Sequence, residues 1–126
     1  MLNDLTAFLQ TQPDISLAIV FGSAAAGRLR PESDIDLAVQ CDAPLVAARK
    51  SELIAAIALI CGRPVDLIDL RTAGQPLFGT ILQGKRIKGS AEQIVPLALR
   101  NVLDRADFLP LIERTLAERR RAWMQA

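Results

Sequence analysis

Histidine and tyrosine are both absent from this chain of 126 residues, and aromatic residues make up only 4% of it. Without histidine the commonest general base and the commonest zinc ligand are gone, which leaves carboxylates and hard cations as the available chemistry. Without tyrosine the chain has no phenolic hydroxyl of its own to act as an acceptor. Cysteine is scarce: Cys41 and Cys61 make no metal-binding or redox pair by spacing, and buried reduced thiols are expected. Neither sign of charge is in excess, with 15 basic and 14 acidic residues and a net charge of +1, so no electrostatic footprint for nucleic acid is present. The longest strongly apolar run, Leu53 to Cys61, is too short to cross a bilayer, and the amino terminus lacks a signal-type segment. A cytoplasmic location is expected. Repeats, low-complexity segments and flexible linkers are also lacking. The length fits a single domain, residues 1–126, able to bury a core without disulfides or structural metal. An apolar content of 51% is high for that size and points either to an exposed apolar patch used by a partner or to an enlarged core.

What is present is concentrated near one turn. Ser16 to Phe21 contains the run Leu-Ala-Ile-Val-Phe and reads as a buried strand. Gly22 ends it and permits a sharp turn with close approach to a ligand, and Ser23 is placed to cap a short helix through Ala24, Ala25 and Ala26. A helix start offers unpaired N–H groups and a positive dipole end, for which phosphate is the natural occupant. The next strand is expected from Asp34 to Gln40. Alternation sends Ile35, Leu37 and Val39 into a core and sets Asp34, Asp36 and Ala38 on the other face. Two ionised aspartates this close repel each other unless a cation lies between them, and hard oxygen ligands favour magnesium or manganese. Magnesium completes its octahedron with water and substrate phosphates, so the turn and the carboxylates form one proposition: a site for a metal-bound nucleoside triphosphate.

Flanking elements follow from periodicity and breakers. Leu2, Leu5, Phe8 and Leu9 recur at helical spacing, with Asn3 or Asp4 beginning the turn. Asp42-Ala43-Pro44 predicts a helix start, with Val46, Leu53, Ile57 and Ile60 on the buried side and Gly62 and Pro64 after the end near Cys61. Arg63 to Leu70 reads as a third strand. Pro76 to Gln83 reads as one or two helical turns closed by Gly84, and Arg86-Ile87-Lys88 as a short edge strand with solvated charges. The remainder is helical, with Pro96 in a first turn and Pro110 restarting the path near Asp107. Leu109, Ile112, Leu116 and Trp123 form the apolar stripe of the last helix, and Arg119-Arg120-Arg121 complements its carbonyl end. The fold class expected is α+β, or mixed α/β, with a small sheet packed on helices on one face and a helical C-terminus.

Gly22-Ser23, ten intervening residues and Asp34-Ile35-Asp36 resemble the signature of the polymerase-β-type nucleotidyltransferases. The compact length, the segment Asp66 to Leu70 followed by Arg71-Thr72-Ala73, and Gln83-Gly84-Lys85 make nearly the whole chain resemble the minimal nucleotidyltransferase (MNT) antitoxins. That resemblance implies Asp34, Asp36 and Asp66 as catalytic metal ligands for Mg2+ or Mn2+. It also implies ATP as substrate, with Gly22 and Ser23 on the triphosphate. Alternation leaves Asp66 and Asp69 on opposite faces without choosing between them, and the resemblance selects Asp66. Asp69 is read as a turn cap or local ion pair with Arg71. Ser33 is a nucleotide-binding candidate, with loop capping as its alternative. The family often places arginine before the second glycine of the turn, whereas here Ala26 precedes Gly27, with Arg28 and Arg30 as loop cations nearby.

The partner implied is a cognate HEPN-domain toxin, a small helical ribonuclease silenced by two-metal transfer of AMP to one of its tyrosines within a hetero-oligomer. Occlusion of the toxin without catalysis, and nucleotidyl transfer to a small molecule, are the alternatives. No membrane and no direct nucleic acid are expected as partners.

Overall fold

The run Leu17-Ala-Ile-Val-Phe21 lies in β1 (Ile15–Phe21), where every residue except Ser16 is buried. A strand buried on both faces belongs inside a sheet, and β1 does lie inside one. The computed structural model describes residues 1–28 and 30–125, without the side chains of 107–109 and 125. In chain order the elements are α1 (Leu2–Gln10), β1, β2 (Ile35–Cys41), α2 (Ala47–Cys61), β3 (Val65–Asp69), α3 (Leu77–Leu82), β4 (Lys85–Lys88) and α4 (Ile94–Gln125). The four strands form one mixed sheet in the order β3-β2-β1-β4, with β1 antiparallel to both neighbours and β2 parallel to β3.

Side-chain alternation divides the core in two. On one face Ala18, Val20, Ile35, Leu37, Val39 and Leu67 pack against Leu5 and Leu9 of α1 and Leu53 and Ile57 of α2. On the other, Leu17, Ile19, Phe21 and Ala38 meet Phe78 and Ile81 of α3 and Leu97 of α4. The carboxylate-bearing face is therefore covered along part of its length by α3 and the start of α4. Phe78 is fully buried, and the Arg100 guanidinium stacks on its ring at 3.7 Å while donating to Leu70 O at 2.9 Å. This pins α4 to the end of β3.

Several local expectations change. The second helix begins at Ala47, because the segment from Asp42 to Val46 is tied down outside a helix: Asp42 N–H donates to Asp14 O at 2.9 Å and Leu45 N–H to Asp69 Oδ2 at 3.3 Å. Val46, expected inside, is the N-cap and 62% exposed. Gly62 closes α2 in the left-handed conformation, with its N–H on Ala58 O. Ser23 caps no helix, since residues 22–27 form a turn with Ala26 N–H on Gly22 O and Arg28 N–H on Ser23 O, and Gly27 at φ +69° stops any continuation. The dipole part of the phosphate argument falls with that helix. Lys88 is not a solvated edge charge, because its Nζ donates to Leu9 O and Gln12 O at 2.7 Å each and satisfies the carbonyl end of α1. Pro110 lies inside one continuous α4 instead of starting a new helix. Its ring removes one intrahelical N–H bond from α4. Ile112, Leu116 and Trp123 are exposed, and the Leu109 side chain lies outside the described residues. Cys41 and Cys61 are buried free thiols whose pKa values burial pushes up.

Truncating Phe78 tests the coupling of α3 to the sheet. Phe78→Ala is expected to cost about 3–5 kcal/mol in urea unfolding, while Leu59→Ala on the solvent side of α2 should stay within about 0.5 kcal/mol.

Candidate active site

Strand pairing decides which carboxylates meet. In the parallel ladder Asp36 stands opposite Asp66, and in the antiparallel ladder it stands opposite Phe21, the residue before the turn. Directly opposed residues share a face, so Asp36 and Asp66 project side by side from the face that also carries Ala38. Asp34 precedes the first residue of β2 by one position and is exposed, Asp66 is exposed, and Asp36 is half-buried. Burial, then the charge of Asp66, then that of Asp34, raise the Asp36 pKa above its ordinary value. Burial is the larger cause, and the two neighbouring carboxylates add to it.

The turn lies directly on this group. Gly22 has φ +68°, and a Cβ built on it would collide with Asp36 Oδ2 and lie 3.3 Å from Asp36 Cγ. Only glycine satisfies both the backbone angle and the contact. Beside the turn is a hollow of about 280 Å³ lined by Gly22, Ala25, Ala26, Thr80, Gln83 and Gly84. It adjoins a cleft of about 480 Å³ between α3 and α4 that shares Thr80 and Gln83 with it. Among the described residues no three His, Cys, Asp or Glu side chains form a ready-made metal cage. Asp36 and Asp66, paired by register, are carboxylates of the kind magnesium uses with water and substrate phosphates completing its shell, while Asp34 is not gathered with them into a three-ligand cage. The raised Asp36 pKa and the glycine contact are the features by which the donor set fits such an ion.

The other candidates divide by geometry. Ser33 Oγ accepts the Arg30 N–H at 3.1 Å, so the hydroxyl holds its own loop. Asp69 lies apart from the carboxylate group. Its Oδ1 accepts Arg71 N–H at 2.9 Å and its Oδ2 accepts Leu45 N–H, so it caps the turn after β3. Arg28 and Arg30 are exposed in the loop. Sequence reasoning passed over Thr80 and Gln83 beside the turn. The only signal for them was Gln83-Gly84-Lys85, where Gly84 packs so closely on Val20 O that no side chain fits.

A small-residue turn laid over paired strand carboxylates, on a mixed sheet flanked by helices, places the chain in the class of nucleotide-transferring enzymes. Residues 3–93 match the family Polymerase beta, Nucleotidyltransferase, and the chain belongs to that family. A protein adenylyltransferase, MntA, from Shewanella oneidensis is 32% identical over 91 residues, which are 71% of this chain and 66% of that protein. The chain thus matches about two thirds of the length of that relative. A chain of a toxin–antitoxin crystal structure with AMP-PNP superposes with a TM-score of 0.79 at 26% identity, covering 93% of this chain and 95% of that one. A mutant MntA–HpeT toxin–antitoxin structure gives the same TM-score at 25% identity over 94% and 96%. No helix among the described residues is long and apolar enough to cross a membrane.

Two glycines with the same backbone angle separate strain from contact. Gly27→Ala meets nothing within 4 Å and should cost only backbone strain, about 1 kcal/mol in chemical unfolding. Gly22→Ala carries the same strain and also displaces the Asp36 carboxylate, so it should cost more and should weaken AMP-PNP binding, which Gly27→Ala leaves in place.

A pH prediction follows from Asp36. A carboxyl with a raised folded pKa binds more protons folded than unfolded, so it removes stability as pH rises from the usual carboxylate range through the folded value. Asp36→Asn should therefore be more stable than wild type at pH 7 in EDTA, with the gain vanishing below the usual aspartate pKa. Thermal melts across pH 3–8 check this.

Proposed function

We propose that this protein transfers AMP from ATP to a tyrosine hydroxyl of a cognate HEPN-domain toxin, neutralising it, and that it does so in the cytoplasm as the antitoxin of a hetero-oligomeric pair. The observation that carries this reading is the apposition of Asp36 and Asp66 beneath the Gly22 turn. The adenylyltransferase relative and the AMP-PNP-bound relative support the donor and the reaction, and the toxin–antitoxin relatives support the acceptor.

Asp34, Asp36 and Asp66 would hold Mg2+, with Mn2+ as the chemically close substitute. When bound, the metal supplies Lewis-acid neutralisation of the triphosphate and activation of the acceptor hydroxyl. The backbone of Gly22 and the Ser23 hydroxyl hold phosphate oxygens, and Ser33 shapes the loop that delivers Asp34. Asp36 is half-buried, so part of its hydration is already removed and its attraction for a cation is strengthened.

The acceptor comes from another chain, since this one has no tyrosine. Its exposed apolar side chains lie chiefly on α4, with Val95 at 66%, Leu99 at 60%, Val102 at 63% and Trp123 at 82% exposure. Apolar area of this extent is what a protein partner covers.

The test uses the purified toxin with ATP and magnesium, read by intact mass. Wild type should add adenylyl groups to the toxin. Asp36→Asn should slow this about a thousandfold, the scale of losing several kcal/mol of charge stabilisation, while still copurifying with toxin. A toxin of unchanged mass after incubation with wild type sinks the AMP-transfer reading. If Asp36→Asn protects cells as well as wild type, neutralisation is by occlusion.

A further inference from the structure

Asp34 is the carboxylate that no strand holds. It stands between the loop after Gly27 and the first residue of β2, so its position depends on what fixes that loop. Arg63, thirty residues and more away in sequence, reaches it from the turn between α2 and β3. Its Nη1 donates to Arg30 O at 2.7 Å and to Ser33 O at 3.3 Å. The loop is also closed on itself, with Ser33 N–H on Arg30 O at 3.0 Å and Arg30 N–H on Ser33 Oγ at 3.1 Å. One residue beyond Asp34, Ile35 N–H donates to Pro64 O at 2.9 Å and starts the ladder that pairs Asp36 with Asp66. Asp34 is thus bracketed by two contacts, both made by consecutive residues, Arg63 and Pro64.

The arginine is not placed for its own comfort. Its Nε is buried and has no hydrogen-bond partner among the described atoms, an arrangement that native structures tolerate at few positions and for identifiable reasons. A shorter or apolar side chain would avoid the orphaned donor but would remove the bond to Ser33 O and leave Arg30 O only its bond from Ser33 N–H. Gly62, in the left-handed conformation immediately before it, turns the chain so that Arg63 leaves α2 toward the loop.

We propose that Arg63 is a positioning residue: it clamps the Arg30–Ser33 loop so that the Asp34 carboxylate stands beside Asp36 and Asp66 in the geometry that binds a divalent cation. The proposal rests on the reading of these aspartates as the metal site. It gives Arg63 no contact with nucleotide or metal.

The experiment titrates Mn2+ alone into purified full-length protein, with free Mn2+ followed by electron paramagnetic resonance. Arg63→Met should raise the half-saturating Mn2+ concentration about 10- to 100-fold, the usual effect of losing a group that orients a metal ligand, with the metal-free melting temperature within a few degrees of wild type. Arg63→Lys, which keeps the charge and a single donor nitrogen, should fall between the two and serves if the methionine variant does not fold. In an Asp34→Asn background, Arg63→Met should add no further weakening. Wild-type Mn2+ affinity in Arg63→Met, or an equal further loss in the Asp34→Asn background, overturns the proposal. An Asp36→Asn control separates the failures: if it binds Mn2+ like wild type, the metal-site reading itself falls, and the clamp with it.

Discussion

Two carboxylates are forced side by side by backbone pairing, and the rest of the structure is arranged around that repulsion. Asp36 and Asp66 occupy matched positions in the parallel β2–β3 ladder, and their neighbours Ile35, Leu37 and Leu67 are buried against α1 and α2 on the opposite face. A slip of one residue would move the aspartates into that core and the aliphatic side chains out of it, so burial on one face fixes the charges on the other. The apolar core thereby offsets a local electrostatic cost that a bound cation would relieve at neutral pH. Gly22 adds to the constraint by laying the turn against Asp36 Oδ2, where no other residue could pass.

The chain divides its work between a body and an arm. The sheet with α1, α2, α3 and the start of α4 builds the carboxylate group, the turn and the cleft beside it. Beyond Arg100, which stacks on Phe78 and holds Leu70 O, the described exposed apolar side chains of α4 include Leu111, Ile112, Leu116 and Trp123. A site lacking an acceptor and a helix lacking cover are complementary deficits, and a helical partner protein would meet both.

Much of this was legible in the sequence, for physical reasons that can be named. The glycine, the ten-residue spacing and the Asp-Ile-Asp alternation are local features, and β1, β2, α2 and β3 carry strong patterns bounded by glycine and proline. What was not legible depended on contacts distant in sequence. The start of α2 shifted because Asp69 and Asp14 hold the segment before it. The helix expected after Ser23 gave way to a turn because Gly27 takes a positive φ. Lys88 became a cap for α1 through two carbonyls more than seventy residues away. Asp66 could not be chosen over Asp69 by alternation alone, whereas strand register places it directly opposite Asp36. Arg63 gave no signal, because its role lies in carbonyls of a loop that precedes it by thirty residues.

The most direct measurement of the central claim is the anomalous diffraction of crystals of this protein grown with Mn2+ and AMP-PNP. The account predicts manganese between Asp36 and Asp66, within reach of Asp34, with the triphosphate seated on the Gly22–Ser23 turn. Nucleotide bound in the α3–α4 cleft with no manganese at Asp36 would contradict it.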